Sequence, residues 1–83
     1  MHSVIGIDVS KAKLDVFCST RCEYRQFGNT TGGLAMLLRW AASIGGLIVF
    51  EASGAYHRDL ERMLTRRGLT FAKVNPRQAR RFA

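Results

Sequence analysis

No stretch of the chain approaches the roughly 18 consecutive apolar residues that a membrane-spanning helix requires, so no membrane partner is expected. The apolar start has no basic segment before it and alternates like a strand, which argues against a secretory leader and for the cytoplasm. Cysteine is scarce: Cys18 and Cys22 stand four apart with no histidine or further cysteine near enough to complete a zinc set. Both read as ordinary thiols, Cys18 as a small core residue in phase with Leu14 and Val16. Length is short as well. Eighty-three residues make one domain at most, burying only about 60 to 65% of the unfolded surface, so the core is thin. Acid is the rarest charge, with 6 Asp and Glu against 13 Lys and Arg and a net charge of +7. Ten of the basic residues are arginine, whose planar fork suits phosphate better than lysine does. A polyanionic partner is expected, the plain alternative being a well-solvated basic surface.

Against this background one acid stands in an apolar run. Val4-Ile5-Gly6-Ile7-Asp8-Val9-Ser10-Lys11 carries the β-branched Val4, Ile5, Ile7 and Val9 of a buried strand, and Asp8 lies near its end. Period-two alternation puts Val4, Gly6 and Asp8 on one face and Ile5, Ile7 and Val9 on the other. A glycine inside a strand often marks close approach of something to the backbone. Asp8 therefore sits beside a gap, or else it caps a turn with Ser10 and Lys11.

The pattern continues with Leu14, Val16 and Cys18 alternating against Lys13, Asp15 and Phe17, a second strand joined by a tight turn at Ser10 to Ala12. Cys22 to Phe27, with Tyr24 and Phe27 as its large residues, reads as a third, giving an antiparallel meander whose edge carries Arg21, Glu23 and Arg25. Asn29-Thr30-Thr31 signals a helix start, with Leu34, Leu37, Leu38, Ala41 and Ala42 at helical spacing and Gly45-Gly46 as the stop. Met36 and Trp40 fall near that apolar stripe and are expected in the core. Leu47-Ile48-Val49-Phe50 is a second buried strand, ending in Glu51. The helix before it makes the connection a crossover, so this strand should lie parallel in the sheet interior. Ser53 or Gly54 opens a second helix with Tyr56, Leu60, Met63 and Leu64 on one stripe and His57, Arg58, Glu61, Arg62 and Arg66 on its other face. Phe71 to Val74 is a fifth strand. Asn75-Pro76 then starts a third helix with Arg77, Arg80 and Arg81 on one face. The chain stops at Ala83 two turns in, so it is expected to be a fragment.

If the fourth strand pairs parallel beside the first, Asp8 and Glu51 stand at matching ends, roughly 5 Å apart. Leu47, Val49 and Glu51 share a face, so both acids can point to one side. Two carboxylates that close repel unless one is protonated or a cation lies between them. Hard oxygen ligands of this kind favour Mg²⁺ or Mn²⁺. Phosphoryl transfer on two metals usually needs three or four carboxylates, and here there are two candidates. Asp15, Asp59 and Glu61 read as solvated charges. His57, at the opening of the second helix, is expected to cap it, the alternative being a contact to phosphate.

At these residues the sequence resembles a known family. Gly6-Ile7-Asp8-Val9-Ser10-Lys11 with Leu14-Asp15-Val16, then Glu51-Ala52-Ser53-Gly54-Ala55-Tyr56-His57, then Val74-Asn75-Pro76-Arg77-Gln78-Ala79-Arg80-Arg81-Phe82-Ala83, look like the amino-terminal domain of insertion-sequence 110 transposases. The three motifs fall in the family's order and span the chain, with Ser53 where threonine is expected. The resemblance implies an α/β fold of the ribonuclease H (RuvC-like) type. Its mixed five-stranded sheet has the order 3-2-1-4-5, strands 1 to 3 antiparallel, strands 4 and 5 parallel to 1, and helices packed on it. It also implies a DEDD acidic tetrad binding Mg²⁺, with Asp8 its first acid and Glu51 its second. The last two acids, and a carboxy-terminal domain with a strand-exchange serine, would follow Ala83. On this reading residues 1–83 are the incomplete first part of a DNA recombinase acting with a structured guide RNA, nucleoid-associated when working and inactive alone. Lys11, Arg58, Arg77, Arg80 and Arg81 are candidates for contacts to the nucleic-acid backbone.

Two rival functions use similar beginnings. An actin-like or sugar-kinase nucleotide-binding domain also opens on a strand with Gly-x-Asp. Here Val9, Ser10 and Lys11 follow Asp8, where such domains carry a glycine that lets phosphate approach the backbone. A non-catalytic nucleic-acid-binding module on the same fold is the other. A sheet with apolar strands and few helices to cover it also leads to an expectation of self-association, a homo-oligomer.

Overall fold

The computed structural model describes residues 3–52 and 54–74. The first strand, β1 (Val4–Val9), turns through Ser10 to Ala12 into β2 (Lys13–Cys18), and β3 (Glu23–Gly28) follows. Helix α1 (Thr31–Ile44) leads to β4 (Leu47–Glu51), and α2 (Arg58–Arg67) to β5 (Phe71–Val74). The five strands form one mixed sheet in the order β3-β2-β1-β4-β5. β1–β2 and β2–β3 pair antiparallel, β1–β4 and β4–β5 parallel. This is the strand order and sense that the family resemblance implies.

Strand parity divides the sheet into two unlike faces. Ile5 and Ile7 of β1, Leu14, Val16 and Cys18 of β2, and Ile48 and Phe50 of β4 all point to one side. There they form a single core with Leu34, Leu37, Leu38 and Ala41 of α1 and Leu60 and Leu64 of α2. Each fully buried leucine contributes roughly 1.5 to 3 kcal/mol, so this shared layer is what holds both helices to the sheet. Phe71 extends it on β5, its ring 5.7 Å from that of Phe50. The opposite face carries Val4, Gly6, Asp8, Asp15, Phe17 and Tyr24, with Phe17 47% and Tyr24 63% exposed. Among the described residues no helix is long and apolar enough to cross a membrane.

Several details differ from the sequence reading, each for a local reason. The third strand begins at Glu23, because Cys22 takes a left-handed backbone (φ 49°) that no strand accommodates. The N-cap of α1 is Thr30, whose hydroxyl accepts from the Gly33 amide, and Asn29 instead bridges two loops. Met36 is 64% exposed and lies off the core stripe. Ala42 is exposed too. Trp40 packs half-buried, its ring 6.1 Å from Phe27 and under the Arg25 guanidinium at 4.9 Å. Helix α2 begins at Arg58, after a turn through Gly54 to His57, so Tyr56 is exposed instead of on the stripe. Ser53 and the expected third helix from Asn75 lie outside the described residues.

Two glycines are required by close approach of backbone. Gly33 in the first turn of α1 lies against the end of β3, and a Cβ there would overlap the Gly28 carbonyl. Gly46, at φ 135°, passes Ser3 so closely that a Cβ would overlap its carbonyl oxygen. Gly32, by contrast, faces open space. Gly33→Ala should therefore destabilise the chain by more than about 2 kcal/mol. Gly32→Ala should leave it unchanged or up to about 1 kcal/mol more stable through helix propensity. Urea unfolding followed by circular dichroism checks the pair, and equal effects at the two sites would contradict the close approach.

Candidate acidic site on the open sheet face

The register of two strand pairs assembles the site. Along the parallel β1–β4 pair, Val4 lies opposite Leu47, Gly6 opposite Val49 and Ile7 opposite Phe50. One further step sets Asp8 level with Glu51. Parallel partners share a face, so both carboxylates project from the side away from the helices, and both are exposed. The antiparallel β1–β2 pair sets Asp15 directly opposite Asp8. Three carboxylates thus stand in a row across β2, β1 and β4.

They line a depression of about 680 Å³ on the open face. Its apolar walls come from Phe17, Tyr24, Val49 and Val74, and Gly6 leaves the backbone bare beside Asp8. Asp15 is out of phase with the core, which in its own strand marks only a solvated charge. Being out of phase with the core is also what puts it in phase with Asp8, and the three-residue turn Ser10 to Ala12 was the signal that pairs them.

Asp15 is not free. The Gln26 amide nitrogen, one strand further out, donates to its Oδ1 at 2.8 Å. That hydrogen bond, the Tyr24 hydroxyl and the nearby Lys13 ammonium hold the Asp15 carboxyl below its usual range, against a smaller opposing effect of burial. Tyr24 is correspondingly pushed up, first by its bond to Asp15 and then by burial and the negative charge of Asp15 and Asp8. Among the described residues no group of three or more His, Cys, Asp or Glu side chains is close enough together to hold a metal ion. Asp8 and Glu51, adjacent, exposed and oxygen-donating, suit a hard divalent cation as part of a ligand set and fall short of a complete one.

The family follows from a comparison over the length of the chain. The model of the insertion-sequence 110 DEDD transposase family, described as transposase, matches residues 5–83. The chain belongs to this family. No curated protein matches it. In this transposase-family chain the other expected site residues are dispersed. Lys11 is exposed in the β1–β2 turn, close in sequence to Asp8. Arg58 opens α2. Arg77, Arg80 and Arg81 lie outside the described residues. His57 occupies the N-cap position of α2 but its side chain makes no capping bond; its ring packs 6.0 Å from Phe50, and Nδ1 is buried without a partner.

The sign of the Asp15 effect fixes its pH dependence. A carboxyl lowered in the folded state contributes stability that is fully present above its unfolded value, about 3.9, and is lost as pH falls through the folded value. Gln26→Ala should raise the Asp15 titration toward the ordinary 3.8 and shrink the stability lost on acidification below that pH. A ¹³C carboxyl titration by NMR measures it, and an unchanged midpoint would show that Gln26 does not hold the charge.

Proposed function

We propose that this chain forms the first part of a ribonuclease H-like catalytic domain in a DNA transposase, with Asp8 and Glu51 as acids that hold a divalent cation, Mg²⁺ or Mn²⁺. The observation that supports this reading is the β1–β4 register, with Gly6 opposite Val49 and Ile7 opposite Phe50, which continued by one residue brings Asp8 beside Glu51. A cation so held supplies charge stabilisation at the attacking and leaving oxygens of phosphoryl transfer.

The chain's own residues divide the remaining work. Asp8 and Glu51, both lining the depression on the open face, would supply carboxylate oxygens to the cation. Asp15, its carboxyl lowered by the hydrogen bonds of Gln26 and Tyr24, adds negative charge beside Asp8, which favours a cation there. Gly6, with no side chain to fill the depression, leaves room over the strand for a nucleic-acid strand to approach. Two acids are fewer than such chemistry uses, so strand cleavage and transfer need further acids of the intact enzyme. The net charge of +7 agrees with a DNA substrate.

Titration of Mn²⁺ into the ¹⁵N-labelled chain tests the site without requiring catalysis, since paramagnetic broadening is local. The amides around Asp8 and Glu51 should vanish together at low Mn²⁺, and Asp8→Asn should abolish the effect. Broadening spread over Glu23, Asp59 and Glu61 instead would count against the pair as a metal site.

A further inference from the structure

We propose that the exposed face of α2 is a docking surface for the phosphate backbone of duplex DNA, gripped by the arginine row Arg58, Arg62 and Arg66. The inference rests on the transposase reading above and assigns a different surface from the acidic site. The three residues follow one another at intervals of four on a 10-residue helix. At 1.5 Å per residue they form a row with a pitch of roughly 6 Å and a length of roughly 12 Å. Each step of four residues turns about 400°, so the row winds by about 80° end to end, and all three arginines still line one depression. Guanidinium binds phosphate through paired hydrogen bonds, and a row of three meets successive phosphates of one strand.

The row lines a depression of about 550 Å³ between α2 and β5. The acid in that depression is already neutralised: Lys73 Nζ of β5 lies 2.9 Å from Glu61 Oε1. Arg62 has one long contact, 3.9 Å to Asp59 Oδ1, with both side chains at least 70% exposed, a geometry that holds little energy in water. Arg58 and Arg66 have no acidic partner among the described residues. With Lys73 set against Glu61 and Asp59 against Arg62, the surface keeps a net charge of about +2 from the row.

Helix stability does not account for the row. Arg66 lies in the last turn, where a cation complements the helix dipole, but Arg58 lies in the first, where a cation opposes it. The row is also rigidly mounted, because Leu60 and Leu64 on the reverse side of the helix are fully buried. Its start lies at the same end of the sheet as the acids. Asn29 Nδ2 donates both to the Ser10 carbonyl, just past β1, at 2.8 Å and to the Tyr56 carbonyl, just before α2, at 3.1 Å. Backbone held along the row thus leads toward the rim on which Asp8 and Glu51 stand.

Fluorescence anisotropy of the 83-residue chain with a labelled 20-base-pair duplex of arbitrary sequence, repeated across salt concentrations, tests the assignment. Each phosphate contact contributes a slope of about −0.9 to the dependence of log K on log salt. The triple variant Arg58→Gln, Arg62→Gln, Arg66→Gln should flatten the slope by about 2.7, and each single variant by about 0.9. Lysine at all three positions should keep most of the slope, and the double variant Arg21→Gln, Arg39→Gln should change it by less than one. Circular dichroism reports folding. If the triple does not fold, the three single variants are read in its place. An unchanged slope in the glutamine variants, or an equal loss in the Arg21, Arg39 double, would overturn the assignment. So would tighter binding of an RNA duplex of the same length with the same dependence on the row, which would make RNA the occupant. The triple variant should keep its Mn²⁺ response at Asp8 and Glu51. Failure of the row and failure of the acidic site are therefore read separately.

Discussion

Everything at the acidic face depends on the pairing of β1 with β4. Side chains alternate across a strand, so a slip of one residue would turn Glu51 toward the helices and Phe50 toward solvent. The hydrophobic pattern opposes such a slip, because Ile48 and Phe50 must join Ile5 and Ile7 in the core. The strand entry opposes it as well. The Leu47 amide donates to the Ser3 carbonyl at 2.9 Å, and Gly46 can pass Ser3 only because it has no Cβ. A glycine at one end of the strand thus determines where a carboxylate arrives at the other.

The same parity gives the molecule two kinds of surface. Both described helices pack on one face of the sheet, and their leucines make a core thin enough for single positions to matter. The other face keeps its acids and its apolar residues Phe17, Tyr24 and Val49 together around one depression. Repulsion between neighbouring carboxylates is tolerated because Gln26 and Tyr24 stabilise the charge on Asp15, and Asp8 and Glu51 keep access to water. The outer side of α2 carries the row Arg58, Arg62 and Arg66.

Much of this was legible in the residues. Alternation in β1, β2 and β4 separates the core from the open face, and the helix between β3 and β4 makes the connection a crossover, while the full strand order is what the family resemblance implies. Asp8 and Glu51 could be placed at matching strand ends from parity once β4 is taken to pair parallel beside β1. Asp15 could not, because judged within its own strand it is merely an exposed acid; its pairing with Asp8 depends on turn length. The start of α2 was misread because Ser53-Gly54 looks like a capping pair, whereas the chain first makes a turn through Tyr56 and His57. Met36 illustrates a limit of helical periodicity: it lies near the edge of the stripe, and the edge of a two-layer core is solvent.

The central claim is that Asp8 and Glu51 are level on neighbouring parallel strands, and it is open to direct measurement without metal or substrate. Interstrand nuclear Overhauser contacts between backbone protons of β1 and β4 report the register residue by residue. The account predicts contacts that align Gly6 with Val49, Ile7 with Phe50 and Asp8 with Glu51. Contacts displaced by one residue would put Glu51 on the helix side of the sheet and dissolve the acidic site.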